Sequence, residues 1–182
     1  DTSQLDLFGA QSLVEEKQPK TTSSFKTITT EAAKYHLVDT EEEIEKLIAL
    51  LSKQTEFCFD TETDNIEPRH ANLVGISFSY QLKEAFYVPI TETSSVSDSL
   101  IQRFKDLLMD TSILKIGHNL KYDLKVLSRY GINVSSACFD TMIAHYLINP
   151  ESKQSMDFLA EKHLNYQCVS IESLIGKKGK NQ

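Results

Sequence analysis

No apolar run in the 182 residues is long enough to cross a bilayer, since a spanning helix takes about 20 such residues. Cysteine is scarce as well. Cys58, Cys138 and Cys168 are odd in number and form no Cys-x-x-Cys pair, which argues against a disulfide scaffold. No secretory leader is visible at the N-terminus, so a reduced, cytoplasmic setting is expected. Positive charge is in deficit, with 19 Lys and Arg against 26 Asp and Glu and a net charge of −7. That balance argues against coating nucleic acid by bulk electrostatics, but it leaves room for a small acidic site that holds a metal. Internal repeats are lacking. The Gly176-Lys177 stretch lacks phosphate-loop spacing, and Gly75 to Ser79 lacks the second glycine of a nucleophile elbow.

What is present is ordinary for one folded domain, at 40% apolar and 25% charged residues. Residues 1–24 are polar and read as a disordered linker or tail, and 25–182 as the folded domain. The absence of an initiating Met suggests a segment of something longer. Tyr35 to Val38 reads as a short strand. Thr40 with Glu43 three residues on is a capping box, followed by Ile44, Leu47, Ile48 and Leu51 at helical spacing. Residues 57–62, 72–80 and 85–90 read as three strands in an antiparallel meander. Then come a helix over 100–108, a strand over 113–116 and a helix over 120–130 closed by Gly131. A strand over 137–139, a helix over 141–148 stopped by Pro150, and helices over 156–164 and 171–175 complete the chain. This order predicts a mixed α/β sheet covered by helices.

Two segments carry the chemistry. Phe57-Cys58-Phe59-Asp60-Thr61-Glu62 is a strand in which Phe57 and Phe59 face the core, while Cys58, Asp60 and Glu62 share the other face. The acids then emerge at the C-terminal strand end, where open α/β sheets hold their ligands. The second segment is Gly117-His118-Asn119-Leu120-Lys121-Tyr122-Asp123, a turn entering a helix. Asn119 is expected to cap that helix, with Asp123 about one turn further on. Three carboxylates converging at one sheet edge would repel one another unless a cation lay between them, so the site reads as a metal trap for a hard divalent ion. Asp140 and Thr141 are given mainly a capping role. His36, His70, His145 and His163 lack paired zinc-ligand spacing and read as core-edge or surface residues.

Phe59-Asp60-Thr61-Glu62-Thr63-Asp64 and Asn119-Leu120-Lys121-Tyr122-Asp123 resemble the first two motifs of the DEDD 3′–5′ exonucleases. The match is closer to the proofreading domains of bacterial DNA polymerase I. Tyr130-Gly131-Ile132, Phe139-Asp140-Thr141-Met142, Met156-Asp157 with Leu159-Ala160-Glu161, and Gly179-Lys180-Asn181-Gln182 extend it from about Thr55 to the C-terminus. The resemblance implies an α/β fold with a ribonuclease-H-like mixed five-stranded sheet flanked by helices. It implies two divalent metal ions (Mg²⁺ or Mn²⁺) and hydrolysis of the 3′-terminal nucleotide of single-stranded DNA. A polymerase domain of the same parent chain is the implied partner, with no membrane. Asp60 would bridge both metals, Glu62 would bind one and orient water, and Asp123 would support the second. Thr61, Ile66, His118, Asn119, Lys121, Tyr122 and Lys153 are the implied nucleic-acid contacts, Ile66 as an apolar wedge against the terminal bases.

Departures from the family are local. His118 replaces a Gln, Lys153 replaces an Arg and so loses the bidentate fork, and Ile171 replaces an aromatic that would stack on a base. The family's fourth carboxylate, in a Tyr-x-x-x-Asp motif, has no match: Val134, Pro150 and Ser170 stand four places after Tyr130, Tyr146 and Tyr166. The domain is therefore expected to be truncated before that last motif, and inactive as an isolated piece. Two alternatives accompany the proofreading reading. One is a ribonuclease D-type RNA exonuclease, the other a non-catalytic structural domain of a polymerase.

Overall fold

A computed structural model of the chain describes residues 24–90, 94–135, 137–170 and 173. The expected tail (all but Ser24), the helix expected over 171–175 (all but Ser173) and the Gly179 to Gln182 segment lie outside the described residues. Among the described residues there are six strands: β1 (Lys34–Leu37), β2 (Glu56–Thr63), β3 (Leu73–Gln81), β4 (Glu84–Pro89), β5 (Leu114–Gly117) and β6 (Cys138–Asp140). They form one mixed sheet in the order β1-β4-β3-β2-β5-β6. The meander is as expected, with β2–β3 and β3–β4 antiparallel. Beyond β2, β5 and β6 add in parallel, so each needs a crossover connection.

The resemblance implied five strands and the sheet has six; the strand expected over Tyr35 to Val38 is β1, which pairs parallel with the outer edge of β4. All four of its residues are exposed, so no burial pattern in the sequence ties it to the sheet. Its attachment is local: the His36 ring stacks on Phe86 at 4.7 Å and its Nε2 lies 2.8 Å from Glu84 Oε1.

Helix α1 (Glu41–Leu51) starts with the complete capping box of Thr40 and Glu43. The single helix expected over 100–108 is two, α2 (Ser94–Arg103) and α3 (Lys105–Met109). They part at Phe104, which is fully buried and stacks 5.2 Å from Phe78. Helix α4 (Leu120–Arg129) ends as the sequence predicts. Gly131 takes φ +71°, its N–H donates to Ser128 O at 3.1 Å, and Ile132 N–H donates to Leu127 O at 3.1 Å. Helix α5 (Thr141–Ile148) follows β6, and α6 (Met156–Leu159) runs into a π-helical turn, Ala160–Leu164, where one helix was expected.

One sheet face carries the core. Phe57, Phe59, Phe78 and Val88 pack with Ile44, Leu47 and Leu51 of α1, Ile101 of α2, Leu108 of α3, and Val126 and Leu127 of α4. Each such side chain contributes about 1.5–3 kcal/mol by leaving water. Strand β2 alternates as predicted, with Phe57, Phe59 and Thr61 buried and Cys58, Asp60 and Glu62 exposed on the opposite face. The core therefore fixes which way the two acids point.

Candidate acidic strand-end site

Strand β2 outruns its neighbour. Its pairing with β5 runs from Glu56↔Leu114 to Cys58↔Ile116, whereas its pairing with β3 continues to Thr63. Past Cys58, the free edge of β2 meets the turn between β5 and α4. Gly117 permits this approach, because a Cβ there would stand 2.4 Å from Leu120 Cδ2 and 3.2 Å from Phe59 O. With no strand to answer it, the Thr61 N–H donates to Asp123 Oδ1 at 2.9 Å, and the Thr61 hydroxyl donates to the same oxygen at 2.5 Å. An unpaired backbone donor is thereby satisfied by a helix side chain.

This geometry sorts the expected site residues. Asp60 and Glu62 are exposed at the open end of β2, while Asp123 is only 3% exposed. Thr61 is buried and spends both its donors on Asp123. Through these two bonds Thr61 positions an acid. The signal for its burial was available, since Thr61 shares strand parity with Phe57 and Phe59. Thr63, overlooked in the sequence, lies where its hydroxyl is 2.5 Å from Tyr122 Oη. Tyr122 also donates to Asn65 O, so its ring is pinned to the loop that leaves β2. Ile66 in that loop is 93% exposed. Lys121 and Lys153 are exposed, and neither forms an ion pair among the described residues.

Asn119 stands at the head of α4 in the left-handed region (φ 62°, ψ 39°) and makes no side-chain cap bond, so its expected capping role is also corrected. Asp140 replaces it. Its Oδ1 accepts from Asn119 N–H at 3.1 Å and its Oδ2 from Leu120 N–H at 2.9 Å. The same Oδ1 caps α5 through Met142 N–H at 2.9 Å and Ile143 N–H at 3.4 Å. Next to it, Thr141 Oγ1 lies 2.9 Å from His118 Nδ1. Among the other histidines, His145 is buried and meets His163 edge-on at 5.4 Å.

The electrostatics are those of uncompensated carboxylates. Asp60 is open to solvent at the strand end, but the protein around its carboxyl partly desolvates it; that desolvation, then the charges of Asp123 and Glu62, push it up to about 7. Asp123 is raised by burial, against the lowering effect of the Thr61 hydrogen bonds, with Asp140 adding to the rise. Burial and the neighbouring Asp60 and Asp123 raise the Cys58 thiol, which keeps it protonated. No described Lys or Arg pairs with Asp60, Glu62 or Asp123. In donor chemistry the three acids suit a hard divalent cation. In geometry they are not yet a cage: among the described residues, no three acidic, histidine or cysteine side chains are close enough to hold a metal ion. Thr61 occupies Asp123 Oδ1 through both its backbone N–H and its hydroxyl.

A sheet of this order, with acids at the end of a central strand, defines a ribonuclease-H-like α/β fold of the kind found in exonucleases. The catalytic core of RRP6 from Trypanosoma brucei superposes with a TM-score of 0.65 at 20% identity, over 87% of this chain and 42% of that one. Brucella melitensis NrnC with bound Mg²⁺ gives 0.60 at 20%, over 83% and 70%. Escherichia coli RNase D gives 0.58 at 19%, over 77% and 36%.

Sequence narrows the class. The family model for 3′–5′ exonuclease matches residues 35–182, and the chain belongs to that family, as an exonuclease domain of the DNA polymerase I kind. DNA polymerase I of Borreliella burgdorferi is 40% identical over 167 residues, 88% of this chain and 18% of the relative. That of Pseudomonas aeruginosa is 34% identical over 131 residues, 67% of this chain and 14% of the relative. The chain thus spans less than a fifth of these relatives.

Proposed function

We propose that this domain removes the 3′-terminal nucleotide of single-stranded DNA by metal-dependent hydrolysis, as the proofreading part of a cytoplasmic DNA polymerase I. The observation that carries the reading is the pair Asp60 and Glu62 on the open end of β2, with Asp123 behind them and no cation among the described residues to offset their charge. Asp60 and Glu62 would hold two divalent ions, Mg²⁺ or Mn²⁺, with Asp123 in support. When bound, such ions lower the pKa of an attacking water and stabilise charge on the leaving oxygen.

The chain's own residues bind and orient the strand. Ile66 offers an exposed apolar surface for a terminal base. Tyr122, held by Thr63 and Asn65, forms a rigid wall beside the acids. Asn119 keeps its amide free of capping duty and available to the strand, and the exposed Lys121 and Lys153 would meet phosphates. The sequence relatives favour DNA polymerase I over a ribonuclease D-type activity, since RNase D resembles the chain in fold alone.

The test is hydrolysis of a 3′-labelled DNA oligonucleotide in Mg²⁺ by the full-length gene product, beside its Asp60→Ala variant and a matched RNA. Loss of cleavage on substitution, with DNA preferred, is the expected result. Equal cleavage of RNA would transfer the reading to the ribonuclease D type. Absence of both cleavage and Mn²⁺ binding would leave a structural domain.

A further inference from the structure

The junction of β6 and α5 grips the junction of β5 and α4 at two points. Asp140 bonds the N–H groups of Asn119 and Leu120 on one side and those of Met142 and Ile143 on the other. The sliding of one turn past the other is thereby blocked. Thr141 supplies the second point. Its hydroxyl donates to Gly117 O at 3.1 Å, and a carbonyl oxygen can only accept. A hydroxyl carries one proton, so the 2.9 Å contact of the same oxygen with His118 Nδ1 is filled by a proton on the ring. In a neutral imidazole the other nitrogen is then bare and accepts. No hydrogen bond to His118 Nε2 occurs among the described residues, and the side chain is half-exposed beside Asn119.

We propose that Thr141 is a positioning residue for the exonuclease site, fixing His118 in its Nδ1–H tautomer so that Nε2 meets the strand end as an acceptor. The inference rests on reading this site as the place where a nucleic-acid strand end is held. An acceptor selects donors. The group that His118 takes up is a sugar hydroxyl or a base amino group, because a phosphodiester oxygen brings no proton. Thr141 itself touches no substrate. Its effect passes through the imidazole.

The first measurement is independent of activity: ¹⁵N-edited imidazole spectra of this chain at pH 8, with His118 assigned by its His118→Gln variant. The parent is expected to show Nδ1 protonated and Nε2 bare. Thr141→Val should release the ring to carry its proton on Nε2, and Thr141→Ser should restore the parent pattern. A parent His118 protonated at Nε2, or a pattern indifferent to Thr141→Val, overturns the proposal. The second is kinetic, in the full-length gene product. Thr141→Val is expected to raise KM for single-stranded DNA about three- to tenfold, the worth of one hydrogen bond, with kcat changed far less. Rescue by Thr141→Ser is expected, and an unchanged KM refutes the role. If the parent hydrolyses no single-stranded DNA at all, the exonuclease reading fails, while the spectra still decide whether Thr141 governs His118.

Discussion

Replacing Asp140 by Ala tests the packing of the site most directly. One carboxylate serves as N-cap for two helices, accepting from Asn119, Leu120, Met142 and Ile143. Losing an N-cap costs about 1 kcal/mol per helix, and a carboxylate near a helix N-terminus adds about 0.3–1 kcal/mol for each. Asp140→Ala should therefore destabilise the domain by about 2–4 kcal/mol, a large share of the 5–15 kcal/mol typical of a fold. At about 2–4 °C per kcal/mol for a domain of this size, the Tm should fall by about 5–15 °C. The chain has no Trp, so urea and thermal unfolding are best followed by circular dichroism. Asp140→Asn keeps one oxygen but turns an amide N–H toward a backbone donor, and should fall between parent and Ala. A loss under about 0.5 kcal/mol for Asp140→Ala would refute the double cap, since even a single exposed cap is worth that much.

Other substitutions probe the same neighbourhood. Thr61→Val removes the hydroxyl that donates to Asp123 and should lower stability by about 1–2 kcal/mol in urea titration; a variant as stable as the parent would mean the contact carries no net energy. Gly117→Ala forces a Cβ against Leu120 and the Phe59 carbonyl, so a loss of about 1–3 kcal/mol is expected, and a neutral result would show that the turn has slack. Without metal, stability should fall as pH rises from about 4 to about 7. In that window the folded protein retains the Asp60 proton up to about 7 while the unfolded chain releases it near 3.8. Asp60→Asn should flatten that slope, and a slope unchanged by it would contradict the raised carboxyl.

Much of this arrangement is legible in the sequence because it depends on neighbours. The alternation of β2, the capping box at Thr40 and the left-handed Gly131 are set by residues a few positions apart, and all three appear. What the sequence hides is set by distant partners. Asp140 caps α4 from 20 and 21 residues away, which no local pattern encodes. The break at Phe104 comes from a ring stacked on β3. Lys115 sits in the middle of a strand and is fully buried, with its ammonium bonded to the carbonyls of Asp110 and Ile113. Helical or strand periodicity gives no sign of that burial. The burial of Thr61 was readable from its parity with Phe57 and Phe59, whereas its bonds to Asp123, 62 residues on, were not.

The overhang of β2 beyond β5 has a consequence for how this domain can vary. The bond from the Thr61 backbone to Asp123 makes the edge of the sheet a ruler for the helix. The distance between the strand acids and the helix acid is then measured by peptide geometry, with no loop in the path that sets it. Insertions between Asn65 and Asn72, or in the turn between β3 and β4, can accumulate without changing that distance. Sequence drift in this domain should therefore concentrate in its loops, while Thr61 drifts no faster than the acid it holds.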